Sequence, residues 1–241
     1  MAANIRTDEV LTPRERRRAK RLREIRAAAL ELVIEEGLDG FSAQKLADRV
    51  DLTAGALYRY FDSLDEILID VQLEVLDGFA AYLRGVLAHA ADPAPLRSIV
   101  LLCRAYIELD RLQPERFRLI GRLVSDPDPL FADAAALPAM EKTLELLGML
   151  GILVANAQDD GALKPGDAMK RAVLAWSSIQ GLMERRKLAR LTPRAFDPGE
   201  LADELLRTLL VGWGADDAAA RDAVEATFGS VFGEAMEEVA S

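Results

Sequence analysis

The chain is poor in the residues on which covalent and metal-dependent chemistry relies. Its 241 residues include one cysteine, Cys103, and one histidine, His89. A single cysteine excludes an internal disulfide and a cysteine-based metal cluster, and its place in the apolar run 99–106 predicts a core residue. His89 lies near a predicted helix end, where exposure or capping is more common than metal ligation. The sequence therefore predicts neither a metal site nor a cofactor.

Long apolar runs and catalytic motifs are missing too. No apolar run reaches the roughly 18 residues needed to span a bilayer, and the first residues carry no apolar signal core. We therefore expect a cytoplasmic protein without a membrane partner. The sequence has no phosphate-binding loop, nucleophile constellation or metal-spaced cluster, which disfavours an enzyme.

The charge that is present is unevenly distributed along the chain. Residues 12–26 hold eight Lys or Arg and two Glu, a net charge of +6, whereas the whole chain carries −10. A basic segment attracts DNA through counterion release, while an acidic remainder disfavours the wrapping of nucleic acid. The alternative is the solvated face of an amphipathic helix. We favour phosphate contact for the start of the run, at Arg14, Arg16, Arg17 and Arg18.

Residues 42–61, SAQKLADRVDLTAGALYRYF, have the spacing of a helix-turn-helix. Ser42 and Thr53 are suited to cap its two helices, and Asp51 occupies the turn position that needs a positive φ. The positions predicted to form the buried face are Leu46, Ala47, Val50, Leu57 and Phe61. Because such a motif presents its second helix to the major groove, the spacing predicts double-stranded DNA as a partner.

The longer stretch GLDGFSAQKLADRVDLTAGALYRYFDSLDEIL, residues 37–68, resembles the TetR family of one-component transcriptional regulators. The resemblance implies an all-α fold with an N-terminal three-helix DNA-binding domain and a larger C-terminal helical domain that dimerises and binds an effector. In this chain it implies a flexible tail at 1–12, the helix-turn-helix domain at 13–63 and the effector-binding and dimerisation domain at 64–241.

The chain departs from the family pattern in three respects. Asp51 stands where the turn usually has Gly, Leu64 stands where a Lys is common, and the second helix begins with Ala54, Gly55 and Ala56 instead of polar or basic residues. The two alanines offer only apolar contact, for example to a thymine methyl group, and Leu64 cannot bind a phosphate. Gly55 either lets the backbone approach a phosphate or base closely, or only weakens the helix.

The remaining polar side chains of the motif supply the other predicted contacts. Gln44, Lys45 and Arg59 are able to bond base edges or phosphates, and Tyr58 and Tyr60 carry hydroxyls suited to phosphate oxygens. Alternatively, one tyrosine packs in the core and the other lies on the surface. The predicted DNA-binding residues are Arg14, Arg16, Arg17, Arg18, Ser42, Gln44, Lys45, Thr53, Ala54, Gly55, Ala56, Tyr58, Arg59 and Tyr60.

Downstream of the motif the apolar pattern is helical throughout, and prolines mark the boundaries. The predicted helices run at about 64–90, 95–111, 114–124, 130–159, 166–191 and 198–213, and residues 214–241 form one further amphipathic helix without an assigned role. The 64–90 helix is predicted to link the two domains.

The resemblance also implies a homodimer, made from the helices at 166–191 and 198–213 of each subunit. The predicted interface residues are Val173, Leu182, Met183, Leu205, Leu209 and Trp213. The alternative is that these apolar stripes serve only the core within one chain. A twofold protein would match a palindromic operator with half-sites one helical turn apart, about 34–36 Å.

A small hydrophobic effector is the remaining predicted partner. The residues predicted to enclose it are Tyr82, Leu102, Tyr106, Phe117, Leu146, Met149, Trp176 and Ile179, each of which has ordinary core packing as the alternative. The sequence thus favours a homodimeric repressor that a small apolar molecule releases from its operator. The alternative is a regulator without small-molecule control, acting constitutively or through a protein partner.

Overall fold

The computed structural model describes residues 12–90, 94–125, 133–183, 197–226 and 231–240, and every regular element in these ranges is helical. The elements in chain order are α1 (Pro13–Gly40), α2 (Ala43–Arg49), α3 (Ala54–Leu57), α4 (Leu64–His89), α5 (Pro95–Leu112), α6 (Pro114–Ser125), α7 (Asp133–Asp159), α8 (Ala168–Met183), α9 (Pro198–Gly212), α10 (Asp217–Glu225) and α11 (Val231–Ala240). The predicted all-α fold is confirmed. The division into a tail and two domains stays a prediction.

Some predicted features lie outside the described residues. They are residues 1–11 of the predicted tail, the proline-containing boundaries at 92–93 and 126–129, and the end of the helix predicted to reach residue 191.

Short polar side chains begin the first three helices. Thr12 caps α1 in a capping box, in which its hydroxyl accepts from the Glu15 amide while the Glu15 carboxylate accepts from the Thr12 amide. The hydroxyls of Ser42 and Thr53 accept from the amides of Lys45 and Ala56, at 3.4 and 3.2 Å. Both predicted caps of the helix-turn-helix are therefore confirmed.

The turn between α2 and α3 depends on one backbone conformation. Asp51 has φ +52° and is the only described residue other than glycine with a positive φ, so the prediction for this position is confirmed. Asp tolerates the left-handed region better than most residues because its short polar side chain bonds locally. The Leu52 amide then donates to the Ala47 carbonyl at 2.9 Å, which closes the turn.

Helix α4 connects the helix-turn-helix to the rest of the protein. It runs without a break for 26 residues and packs against α1 at one end and against α5, α6, α7 and α11 further along. The Arg26 guanidinium on α1 donates to the Asp70 carboxylate on α4 through Nε at 2.8 Å. This pair adds a directional contact to the apolar packing between the two helices.

The larger apolar core lies among α4, α5, α7 and α8. Its fully buried side chains include Ile99, Leu101 and Leu109 on α5 and Val154 on α7. Burial of each such side chain stabilises the fold by about 1.5–3 kcal/mol relative to exposure.

The C-terminal segment forms two helices where one was predicted. Helix α10 packs against α5 and α9, α11 packs against α4, and the backbone is already extended at Ala226. The Arg104 guanidinium on α5 donates to the Ala226 carbonyl at 2.9 Å and to the Asp203 carboxylate on α9 at 2.7 Å. The C-terminal segment is therefore part of the packed helical body.

Candidate DNA-binding surface and ligand cavity

The helix-turn-helix buries the face that its spacing predicts. The side chains of Leu46, Ala47, Val50, Leu57 and Phe61 are each at most 8% exposed and join one cluster with Ile25 and Ala29 of α1. Two polar contacts add to this packing. The Arg21 guanidinium of α1 donates to the Val50 carbonyl in the turn, and the Arg49 guanidinium of α2 pairs with the Glu35 carboxylate at 2.6 Å.

Five predicted DNA-binding side chains are exposed and available. They are Arg14, Arg16, Arg17, Tyr58 and Arg59, and within the part of the chain that the structure describes none of them has a hydrogen-bond or ion-pair partner. Unpaired guanidinium groups are able to bind a phosphate without first breaking an internal contact. Tyr58, with 48% of its surface exposed, extends from the end of α3.

Two other predicted contacts already have partners within the chain. The Gln44 amide donates to the Asp48 carboxylate at 2.7 Å. The Lys45 ammonium pairs with the Glu36 carboxylate and lies 3.2 Å from the Gly40 carbonyl oxygen. Both side chains remain exposed, but binding to DNA would have to replace these contacts.

Arg18 and Tyr60 bring the start of α1 next to the end of α3. The Arg18 guanidinium carbon lies 5.8 Å from the centre of the Tyr60 ring, within the range of a cation–π contact. Tyr60 is partly buried against the core, whereas Tyr58 is exposed. Tyr60 thus packs against the core and Tyr58 lies on the surface. This is the arrangement that the alternative interpretation of the two tyrosines predicts.

The small residues at the start of α3 divide into two environments. Ala56 is 6% exposed and turned into the core, so its prediction as a DNA contact needs correction, because its methyl group already packs within the protein. Ala54 is partly buried. Gly55 is exposed, and a Cβ atom added there would meet nothing within 4 Å. Packing within the chain therefore does not require glycine at this position.

Two small adjoining cavities lie in the larger helical core, with volumes of about 60 and 40 Å³. The larger is lined by Leu76, Phe79, Leu83, Tyr106, Ile120, Thr143, Leu146, Leu147, Trp176 and Gln180, and the smaller by Leu83, Leu102, Cys103, Tyr106, Leu147, Leu150, Trp176 and Ile179. Four residues are common to both, so the cavities form one region between α4, α5, α7 and α8. Within the described ranges, no charged side chain lines either of them.

Five of the eight predicted effector residues line these cavities: Leu102, Tyr106, Leu146, Trp176 and Ile179. Phe117 packs beside them, with its ring centre 5.1 Å from that of Tyr106. Tyr82 and Met149 line neither cavity. Tyr82 is fully buried, and burial raises the pKa of its hydroxyl, which has no hydrogen-bond partner among the described residues.

The polar groups that the described residues contribute to the cavity are few and neutral. The indole Nε1 of Trp176 donates to the Tyr106 hydroxyl at 3.0 Å, and burial raises the pKa of that hydroxyl. The Thr143 hydroxyl donates to the Ala139 carbonyl of its own helix at 2.8 Å. Gln180 lines the larger cavity and is 9% exposed, and its Oε1 has no hydrogen-bond partner among the described residues.

Gln180 and Thr143 were not predicted from the sequence as lining residues. An amide inside the apolar stripe of the helix at 166–191 was the available signal for Gln180. For Thr143, which bonds its own helix, no comparable signal exists in the sequence.

The predicted dimer interface is only partly accessible. Val173 is exposed and Leu182 is half-buried, whereas Met183 is 7% exposed. The prediction for Met183 needs correction, because this side chain lies on the inward face of α8 with Ile179. Leu205, Leu209 and Trp213 pack partly against the core of their own chain, and the Arg171 guanidinium covers the Trp213 ring.

Several apolar side chains besides Val173 are exposed. Met169, Val173 and Leu174 form an exposed face of α8, and Ile152 on α7 and Val211 on α9 are also exposed. Leu174 and Ile152, with more than half of their surface accessible, were missed because the periodicity of a helix does not say which of two apolar stripes faces inward.

The single cysteine is a core residue, and the single histidine lies at the end of a helix. Cys103 is buried, and burial raises the pKa of its thiol to about 12, as expected of a core residue. His89 is exposed in the last turn of α4, with Nδ1 2.8 Å from the Gly85 carbonyl oxygen. Among the described residues, none of the helices has the length and apolar character to cross a membrane.

Comparisons with known proteins match this arrangement. The model of bacterial regulatory proteins of the tetR family matches residues 25–71, and that of the tetracyclin repressor-like C-terminal domain matches residues 99–209. The HTH-type transcriptional regulator RutR of Escherichia coli strain K12 is 28% identical over 159 residues, which cover 65% of this chain and 70% of RutR.

Solved structures share the fold at low sequence identity. RolR in complex with resorcinol has a TM-score of 0.61 at 16% identity, covering 88% of this chain and 96% of RolR. The fatty acid degradation regulator FadR from Bacillus halodurans also has a TM-score of 0.61 at 16% identity, covering 86% of this chain and all of FadR. The family models and RutR describe regulators and not enzymes, as the sequence predicts. The chain belongs to the TetR family of DNA-binding transcriptional regulators.

Proposed function

We propose that the protein is a homodimeric repressor of a palindromic operator and that a small apolar effector, bound in the cavity between α4 and α8, releases it. The DNA-binding domain is residues 13–63, and the effector-binding and dimerisation domain is residues 64–241. The observation that carries the proposal is the position of α6, because this helix contacts both the cavity and α1, the helix on which the helix-turn-helix packs.

The two faces of α6 have different surroundings. On one face, Ile120 lines the larger cavity and Phe117 packs on Phe79 and Tyr106, with ring centres 6.1 and 5.1 Å away. On the other face, Glu115, Arg118 and Leu119 line a gap of about 290 Å³ against the C-terminal part of α1. The residues of α1 at this gap are Val33, Ile34, Gly37 and Leu38.

This arrangement provides a route from effector to operator. An effector that enlarges the cavity displaces α6 toward the gap, and α1 moves with the helix-turn-helix that packs on it. Strong switching requires the effector to bind the DNA-incompetent state several kcal/mol better than the DNA-bound state, since equal affinity would shift nothing. RolR, which shares this fold, is described with resorcinol bound, which supports a small ring compound as effector.

We assign the DNA contacts in two groups. Sequence reading uses Tyr58 and Arg59, together with Gln44 and Lys45 once their internal partners are exchanged. The DNA backbone is contacted by the arginines at the start of α1 and by the hydroxyls of Ser42, Thr53 and Tyr60. At Ala54 and Gly55 the protein backbone itself comes close to the DNA backbone. The Ser42 and Thr53 hydroxyls accept from helix amides, so their protons remain available to phosphate oxygens.

The homodimer is proposed to form through the exposed apolar residues of α8. Met169, Val173 and Leu174 would pack against their counterparts in the partner subunit, flanked by Ile152 and Val211. Exposed clusters of large apolar side chains mark interaction sites in soluble proteins. An isologous contact would supply the twofold symmetry that a palindromic operator needs.

A regulator without small-molecule control remains the second candidate, and the small size of the cavities favours it. A volume of about 60 Å³ is below the range of most ligand pockets, about 300–1,000 Å³. The effector model therefore requires the helices around the cavity to move apart when the ligand binds.

Replacement of Arg16 and Arg17 by Ala is expected to weaken binding to every DNA sequence and to flatten its salt dependence. The slope of log affinity against log salt should fall by about one for each phosphate that the variant no longer neutralises. Fluorescence anisotropy with an operator fragment and a scrambled fragment measures both effects. The matched control is Arg84→Ala with Arg116→Ala, two exposed arginines outside the helix-turn-helix. An unchanged slope, or an equal change in the control, would contradict phosphate contact by Arg16 and Arg17.

Gly55→Ala is expected to weaken operator binding at least tenfold without loss of stability. The added methyl group meets nothing within the protein, and a helical Gly→Ala change stabilises by up to about 1 kcal/mol. Anisotropy gives the affinity, and urea unfolding gives the stability. Gly78→Ala on α4, where an added Cβ is also free, should raise stability without changing affinity. If Gly55→Ala binds the operator as the wild type does, the backbone does not approach DNA closely there.

Leu174→Arg is expected to convert the dimer to a monomer and to weaken operator binding at least tenfold. A charge in the centre of the contact would have to be buried without a partner. Light scattering coupled to size exclusion measures the mass. Glu74→Arg, at an exposed position of α4, adds the same side chain away from the α8 face and should leave the dimer intact. A Leu174→Arg variant that remains dimeric places the interface elsewhere.

A compound that raises the melting temperature is expected to lower operator affinity. A thermal-shift screen of a metabolite panel selects such compounds, and anisotropy with the operator fragment tests them. Leu146→Phe should abolish both responses, because it fills the cavity, yet should retain operator binding. Leu144→Phe, whose side chain is 49% exposed, should respond as the wild type does. If no compound shifts the melting temperature, the regulator without small-molecule control is the better description.

A further inference from the structure

The cavity between α4 and α8 contains an unusual polar atom. Gln180 is more than nine-tenths buried, lines the larger cavity, and its Oε1 has no hydrogen-bond partner among the described residues. Leaving a buried acceptor without a donor is unfavourable, so an acceptor that the chain leaves unpaired is suited to a partner from outside the chain. A ligand with a hydroxyl or N–H group would be such a partner.

Tyr106 supplies the complementary group on the same cavity. Its oxygen accepts from the Trp176 indole at 3.0 Å, which leaves its own proton available to donate. The unpaired Gln180 Oε1 is thus available as an acceptor, and the Tyr106 hydroxyl is available as a donor. A ligand hydroxyl is able to donate to the first and accept from the second.

The remaining lining restricts charge and size. Among the residues that the structure describes, no Asp, Glu, Lys, Arg or His lines either cavity, so an ionised ligand would lose its hydration without gaining a counter-charge from them. Neither volume exceeds about 60 Å³, whereas an apolar cavity of about 150 Å³ is known to hold one benzene ring. A compound with one ring is therefore the largest ligand that the cavity would hold after a modest expansion. The aromatic side chains of Phe79, Tyr106 and Trp176 favour a flat ring through edge and face contacts.

We infer that this cavity binds an uncharged single-ring phenol, whose hydroxyl donates to Gln180 Oε1 and accepts from Tyr106. The inference rests on the proposed function, since it names the class of effector for the same site. It adds that ionised carboxylates, protonated amines and large acyl compounds are not effectors of this protein.

Calorimetric titration of the full chain with phenol, anisole and benzoate tests this chemistry. Phenol should bind, and anisole should bind roughly tenfold more weakly or less, because its ether oxygen cannot donate to Gln180. Benzoate should show no binding at the same concentration, because its charge has no partner. Equal affinities for phenol and anisole, binding of benzoate, or no binding of phenol would each overturn the inference.

Gln180→Met identifies the group responsible. In this variant phenol and anisole should bind with affinities within about twofold of each other, because the acceptor is gone. Gln72→Met makes the same change at a buried glutamine that lines neither cavity, and it should keep the wild-type preference for phenol. Persistence of the preference in Gln180→Met would overturn the role of Gln180. If neither variant folds, the three wild-type titrations still decide the ligand class.

Operator release is measured separately with the anisotropy assay. Phenol that binds with the expected selectivity and releases the operator supports both the ligand class and the proposed function. Phenol that binds with this selectivity but leaves the operator bound supports the ligand class and contradicts the effector role. Release of the operator by benzoate and not by phenol would support effector control and overturn the phenol inference.

Discussion

The continuity of helix α4 is the constraint on which the rest of the structure depends. The helix runs without interruption from Leu64 to His89. At its start it packs on α1, against which the helix-turn-helix lies, and further along it packs on α5 and α7, which also line the cavity. At 1.5 Å per residue, a helix of this length spans about 39 Å. Ile67 and Val71 near its start and Phe79 and Leu83 further along belong to the same buried cluster. Since a helix is stiff along its axis, the proposed effector would act on the position of α1 through any change in how the cavity packs against α4.

Helix α6 packs against the side of α4. Phe117 stacks toward the cavity, while Leu119 faces the gap beside Val33 of α1. Under the proposed effector control, a movement at the cavity would reach the helix-turn-helix through two helices. One is the long α4, which passes through the core, and the other is the short α6, which lies across it. The gap matters because a packed interface would resist displacement, whereas space beside α1 allows it.

Much of this architecture could be predicted from local signals in the sequence. Proline and capping residues placed the start of α5, α6 and α9, and the turn chemistry placed a positive φ at Asp51. The choice between two apolar faces of one helix could not be predicted, because periodicity records that a stripe exists but not what covers it. Met183 and Leu174 show this limit, since both are apolar residues of α8 and only Leu174 is exposed. Ala56 and Lys45 show another, because burial and the Glu36 partner depend on residues outside the motif.

The uncharged lining of the cavity has a consequence for what the protein senses. A neutral one-ring compound crosses a lipid bilayer without a carrier, because it has no ionic hydration to lose, whereas an ionised analogue needs a transport protein. With such a compound as the proposed effector, the regulator would respond to its concentration in the surroundings, with little delay and without dependence on uptake genes. Its output would therefore follow exposure to the compound itself and not the capacity of the cell to import it.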